Sequence, residues 1–123
     1  MPEQPTLSLV VIRVSDITRS VEAYSVLGIT FQREQHGNGP VHYSGSVGET
    51  IFELYPATER SPVKSCRLGF AVACIDDVIS KWRESGREIV AEPTDSTWGL
   101  RAVIADPDGH KIELTQRRCM TRN

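Results

Sequence analysis

The strongest constraint on this 123-residue chain is that it contains the same pattern twice. Val14 to Gly28 reads V-S-D-I-T-R-S-V-E-A-Y-S-V-L-G, and Val72 to Gly86 reads V-A-C-I-D-D-V-I-S-K-W-R-E-S-G. At an offset of 58 residues Ile17 falls on Ile75, Val21 on Ile79, Tyr24 on Trp82 and Gly28 on Gly86. Ile17, Val21 and Tyr24 stand at i, i+4 and i+7, the apolar stripe of an amphipathic helix. Asp16 and Asp76 are candidate N-caps, and the two glycines suit the left-handed residue that ends a helix. A fold for this chain must therefore use one supersecondary unit two times.

Strand signals surround both helices. Leu7–Val14 and Arg67–Cys74 are short, apolar and rich in β-branched residues, and they lead into the helices. Ile29–Glu34, Val41–Val47 and Thr50–Tyr55 follow the first helix, and Arg87–Ala91, Trp98–Ala105 and His110–Thr115 follow the second. Turn residues separate them: His36-Gly37-Asn38-Gly39-Pro40, Gly48, and Asp106-Pro107-Asp108-Gly109. The endings Ile51–Leu54 (I-F-E-L) and Lys111–Leu114 (K-I-E-L) match at an offset of 60, so the second half holds two extra loop residues. The expectation is an α+β fold of two tandem strand–helix–strand–strand–strand modules in a single domain. Module one spans 7–55, a linker 56–65, module two 66–116, and a tail 117–123. One helix covers one face of four strands, so the other face needs a twin module or a second chain. A mixed sheet curved round that face would enclose a cleft suited to a ligand.

Composition narrows the classes of partner. Fourteen basic against sixteen acidic residues leave a net charge of -2, which argues against a nucleic-acid binder. No apolar run approaches the ~18 residues of a membrane helix. Met1–Pro5 lacks the cationic and apolar regions of a signal peptide, so a cytoplasmic protein is expected. The three cysteines, Cys66, Cys74 and Cys119, form no CxxC pair. With Cys66 and Cys74 on one strand, eight steps of ~3.3 Å would hold them too far apart for a disulfide.

The duplicated unit resembles the vicinal oxygen chelate superfamily, which includes glyoxalase I, extradiol dioxygenases and bleomycin-resistance proteins. The resemblance rests on Arg13–Tyr24, on Leu27–Phe31 (L-G-I-T-F) and on Trp98–Leu114, where D-P-D-G precedes I-E-L. It implies the glyoxalase/bleomycin resistance fold over about 7–116. It does not separate lyases from binders that carry out no chemistry. In metal-dependent members, one metal is held by four positions, on the first and last strand of each module. Carried over, those positions are Leu9, Arg67, Glu53 and Glu113. Leucine has no lone pair, and arginine is a fixed cation without an acceptor. No cofactor is therefore expected, the weaker alternative being a divalent metal held by Glu53, Glu113 and His42.

Period-two alternation puts His42, Ser44, Ser46, Ile51, Glu53 and Tyr55 on the cavity face, and Val41, Tyr43, Phe52 and Leu54 under the helix. A hairpin turn at Val47-Gly48 sets His42 opposite Glu53, whereas a turn at Gly48-Glu49 sets Ser44 there. His42 is then a metal ligand, a general base or a cavity-wall histidine with one hydrogen bond. His36 is expected in solvent, and His110 as the residue that starts the last strand. Arg67 either bridges to Glu53 or Glu113, filling a vestigial metal site, or stays free to grip an anionic ligand. Arg13 and Arg101 are further anion contacts, and Trp98 can stack on a ligand at the cleft mouth. Trp82 is expected in the core.

Three kinds of function follow. The first is a small-molecule-binding protein without the full metal site. The second is a metal-dependent lyase, isomerase or dioxygenase using Glu53 and Glu113. The third is a metal-free enzyme in which His42 or a glutamate is the base. The expected ligand pocket is lined by Leu9, Ser44, Tyr55, Arg67, Trp98 and Arg101, with Glu53, Glu113 and His42 as the reactive groups. A homodimer is expected, since a twin chain can cover the apolar sheet surface by two-fold symmetry.

Overall fold

The computed structural model describes residues 4–97 and 99–116. Trp98 and the expected tail, 117–123 with Cys119, lie outside the described residues. The order is β1 (Leu9–Val14), α1 (Ile17–Ser25), β2 (Phe31–Glu34), β3 (His42–Val47), β4 (Thr50–Pro56), β5 (Arg67–Ala71), α2 (Ile75–Glu84), β6 (Ile89–Ser96), β7 (Gly99–Ala105) and β8 (Lys111–Gln116). Each module forms its own four-stranded mixed sheet, ordered β1-β4-β3-β2 and β5-β8-β7-β6. In both, the first strand pairs parallel with the last and the other neighbours are antiparallel. The duplication in sequence is thus a duplication of topology.

Alternation decides which face is covered. Ile12, Val14, Phe52 and Leu54 in sheet one, and Phe70, Ile112 and Leu114 in sheet two, are buried. Together with Tyr24 and Ala23 of α1 and Ile75, Val78, Ile79 and Trp82 of α2 they make one apolar core shared by both modules. Phe52 meets Phe70 edge-on at 5.8 Å, and the Tyr24 ring lies 5.1 Å from Phe52 and 6.3 Å from Phe70. Two polar ties add to this seam. The Tyr24 hydroxyl donates to Asp106 Oδ2 at 2.8 Å, and Ser15 binds the Asp108 carboxylate through its backbone N–H (3.1 Å) and its hydroxyl (2.5 Å). Asp106 Oδ1 also accepts the backbone N–H groups of Asp108 and His110, so the Asp-Pro-Asp-Gly turn is locked from within. Burial first, then the Asp106 charge, pushes the Tyr24 hydroxyl far above its ordinary range, so it donates at every accessible pH.

The helices begin in different ways. Asp16 caps α1 by accepting the Arg19 N–H at 3.1 Å. Asp76 does not cap α2: that helix starts two residues earlier than such a cap would set it, with Cys74 at the cap position and no side-chain bond from it. Asp76 and Asp77 instead occupy the first turn, where their charge favours the helix dipole. The missing cap comes from afar, since Gln116 Oε1 at the end of β8 accepts the Ile75 N–H at 2.6 Å. Gly28 (φ 104°) and Gly86 (φ 76°) take the left-handed geometry that follows each helix.

Several boundaries differ from the sequence reading. β5 ends at Ala71, so Cys66 and Cys74 flank that strand and do not share it; both are free thiols. β6 begins at Ile89 and runs on through Pro93 to Ser96, past the Ala91 end that proline and polarity suggest. It is an edge strand, its pairing to β7 shifts register twice, and proline is tolerated there.

Candidate functional site

Glu53 and Glu113 both point away from the helix-covered faces, because their neighbours Phe52, Leu54, Ile112 and Leu114 are the buried ones. In sheet one β3 and β4 pair as Ser44↔Glu53 and Ser46↔Ile51, so the turn is Gly48-Glu49 and Ser44, not His42, sits opposite Glu53. Gly48 at the first turn position adopts φ 59°, the conformation that such a hairpin asks of it.

That register builds cross-strand rows on the open face. One row joins Leu9, Ile51 and Ser46; the next joins Val11, Glu53, Ser44 and Gln32. In the third, Arg13 lies beside Tyr55, and Glu34 of β2 lies beside His42 of β3. The row is stacked: the Arg13 guanidinium sits 4.9 Å over the Tyr55 ring, and Tyr55 lies flat on His42 with centroids 4.2 Å apart. His42 is 1 % exposed. Its Nδ1 is 3.2 Å from the Pro40 carbonyl, and its Nε2 is 3.4 Å from Glu34 Oε1 without forming a hydrogen bond. A groove of about 590 Å³, lined in part by Gln32, Glu34, Ser44, Ser46 and Ile51, runs along the β2–β3 side of this face.

The open face of sheet two has the opposite chemistry. Arg67 Nε donates to Glu113 Oε2 at 2.5 Å, and Arg101 Nη2 donates to Glu113 Oε1 at 2.9 Å. Both carboxylate oxygens are thus held by guanidinium groups. These hydrogen bonds, that of Arg67 foremost, keep the Glu113 carboxyl below the usual carboxylate range. Among the described residues no ion pair joins Glu53 to Arg67 or Arg101, and Glu53 belongs to no cluster of possible metal ligands with Glu113. The one such cluster among the described residues is Glu34, His36 and His42. Sequence reasoning singled out His42 but passed over Glu34, whose place beside His42 depends on the β2–β3 register.

His36 is exposed, and its Nε2 lies 3.8 Å from Glu34 Oε1. His110, expected to start the last strand, stands just before it, is buried and accepts the Cys66 N–H on Nδ1. Leu9, expected to line a cavity, is half exposed on the open face, next to Val11 and Ile51 in the same condition.

The family model of the Glyoxalase/Bleomycin resistance protein/Dioxygenase superfamily matches residues 6–114. Among solved structures, the antibiotic binding protein TnmS3 from Streptomyces sp. CB03234 is 23% identical, with a TM-score of 0.76, over 95% of this chain and 99% of that one. TioX from Micromonospora sp. ML1 is 21% identical, with a TM-score of 0.72, over 92% and 99%. The oxidase ChaP-H2 is 18% identical, with a TM-score of 0.76, over 96% and 98%. At such identities these likenesses are of fold. No curated protein matches the sequence.

Proposed function

We propose that this chain, which belongs to the Glyoxalase/Bleomycin resistance protein/Dioxygenase superfamily, is a small-molecule-binding protein with no metal chemistry at the superfamily's usual position. The observation that carries this reading is the double clasp on Glu113. Of the four residues at that position, Leu9 offers no donor, Arg67 is a fixed cation, and both oxygens of Glu113 are engaged by arginines. A divalent ion there would have to displace two guanidinium groups and then sit beside them, so this donor set does not fit one.

What remains suits ligand capture. The groove beside β2 and β3 is of a size that takes small organic molecules, and its walls combine the apolar Ile51 with Ser44, Ser46 and Gln32. Outside that groove, on sheet two, Arg67 uses only its Nε on Glu113, so its outer nitrogens can pair with a carboxylate or phosphate group of a ligand bound there. Such a ligand is small and anionic; Tyr55 lies on the open face of sheet one and Arg101 beside Glu113 on that of sheet two. That a protein described as antibiotic binding shares this fold is consistent with ligand capture.

The binding unit in this reading is a homodimer. Leu9 (51 % exposed), Val11 (42 %) and Ile51 (38 %) form an apolar strip on an uncovered sheet face, and a second copy can bury it. Free thiols at Cys66 and Cys74 suit a reducing compartment, and we place the protein in the cytoplasm. Among the described residues no helix is long and apolar enough to cross a membrane.

The test is native mass spectrometry of the purified protein, followed by thermal-shift measurements against a panel of anionic aromatic compounds. The reading expects a dimer, a co-purified or panel ligand that raises Tm, and loss of that rise in Arg67→Gln. A stable 13.7 kDa monomer that no compound stabilises would contradict it.

A further inference from the structure

We propose that the β2–β3 hairpin holds a second, independent site: a zinc-type divalent cation bound by Glu34, His36 and His42. This goes beyond the ligand-capture reading and does not rest on it. It lies at the outer end of the stacked row, on other strands than Leu9, Glu53, Arg67 and Glu113.

His42 makes the case. The Pro40 carbonyl can only accept, so the hydrogen bond at 3.2 Å places the ring proton on Nδ1 and leaves the lone pair of the neutral ring on Nε2. That lone pair faces a carboxylate oxygen 3.4 Å away, with no hydrogen bond between them, in a side chain that is 2 % exposed. Two acceptors oppose each other at a buried position. A cation between them satisfies both. The backbone carbonyl on Nδ1 is also the outer partner that orients a metal-bound imidazole, and the flat stack on Tyr55 fixes the ring plane.

The spacing agrees. Zinc bonds of about 2.0–2.2 Å in tetrahedral geometry separate neighbouring ligand atoms by about 3.3–3.6 Å. Here Glu34 Oε1 lies 3.4 Å from His42 Nε2 and 3.8 Å from His36 Nε2, and all three ligand atoms fall within 4.8 Å of one another. Glu34 and His42 are positioned by strand pairing. His36 follows two residues after Glu34, in a turn held by its carbonyl accepting the Gly39 N–H and by Gln35 Nε2 donating to the Gly39 carbonyl. Two imidazoles and one carboxylate suit zinc(II) and its first-row neighbours, whereas calcium and magnesium prefer all-oxygen sets. The three ligands leave one tetrahedral position for water or an oxygen atom of a bound molecule.

Titrate the metal-free wild-type protein with zinc(II) by calorimetry, and with cobalt(II) for the intense visible absorption of tetrahedral coordination. One equivalent per chain is expected. Glu34→Gln and His36→Ala, both outside the core, should each weaken zinc binding by at least about tenfold, the least that removal of a direct ligand should cost, and should keep the metal-free Tm. Glu53→Gln and Glu113→Gln should bind zinc as the wild type does. No zinc uptake by the wild type would overturn the proposal and leave the His42–Glu34 contact as an ordinary ion pair. So would uptake that survives Glu34→Gln and His36→Ala but is lost in Glu53→Gln.

Discussion

The two modules share a topology and differ in nearly every polar detail. In module one the helix is capped by its own Asp16, and the open face carries a stacked row from Arg13 and Tyr55 to His42 and Glu34. In module two the helix is capped by Gln116 at the end of the neighbouring strand β8, and the open face carries two arginines closed on Glu113. The aromatic at the equivalent helix position also divides the work. Trp82 Nε1 donates within its own module, to the Glu88 carbonyl at 3.0 Å, while the Tyr24 hydroxyl reaches across to Asp106. The apolar scaffold was thus kept through the duplication while its polar groups were reassigned. That is what a fold serving many functions requires: burial sets the architecture, and exposed rows set the chemistry.

The largest effect should come from the wholly buried aromatics. Trp82→Ala should cost about 3–5 kcal/mol in denaturant unfolding, since a large side chain leaves a cavity under α2. Tyr24→Phe keeps the volume but strands Asp106 Oδ2, and should cost about 1–3 kcal/mol. If the modules are coupled through Tyr24 as described, hydrogen exchange in Tyr24→Phe should rise on both sides of the seam. A rise confined to module one would break the comparison.

Next come the two caps. Asp16→Ala and Gln116→Ala should each cost about 1 kcal/mol, but in different places. The first should loosen the N–H groups at the start of α1, and the second the start of α2 together with the end of β8. No loosening at the start of α2 in Gln116→Ala would mean that the long-range cap carries no weight.

The smallest effect is electrostatic. The Glu113 carboxyl is held below the ordinary value of about 4.3 by its arginines, so its folded-state pKa is depressed. The sign follows: the clasp contributes above the unfolded pKa and is lost as pH falls through the folded one. A carbon-detected NMR titration should show a Glu113 midpoint below the ordinary value, moving up toward it in Arg67→Gln. A midpoint that ignores Arg67→Gln would dismiss the clasp.

How much of this was legible beforehand follows from the range of each signal. The helices, their closing glycines and the buried stripe were readable because apolar period and turn chemistry are local. Alternation along β4 set Phe52 and Leu54 inward and Glu53 outward. The cap on α2 was not readable, because Gln116 lies 41 residues from Ile75 and carries no local mark of that role. The extent of β6 was hidden by Pro93, which an edge strand accepts and a central one does not. Glu34 was missed for a third reason. A seven-residue stretch joins β2 to β3, and only the pairing itself decides which residue of one strand meets His42 of the other.

The central claim is that the superfamily's usual metal position is closed here, and one titration addresses it directly. With Glu34→Gln and His36→Ala together the hairpin cluster keeps only His42, so any remaining stoichiometric zinc must sit elsewhere. That double variant should take up no zinc at micromolar protein, whereas adding Leu9→His and Arg67→His to it, which restores ligand types at the usual position, should gain it. Zinc bound at one equivalent by the double variant alone, and lost on adding Glu53→Gln or Glu113→Gln, would contradict the account and make a metal-dependent enzyme the better reading.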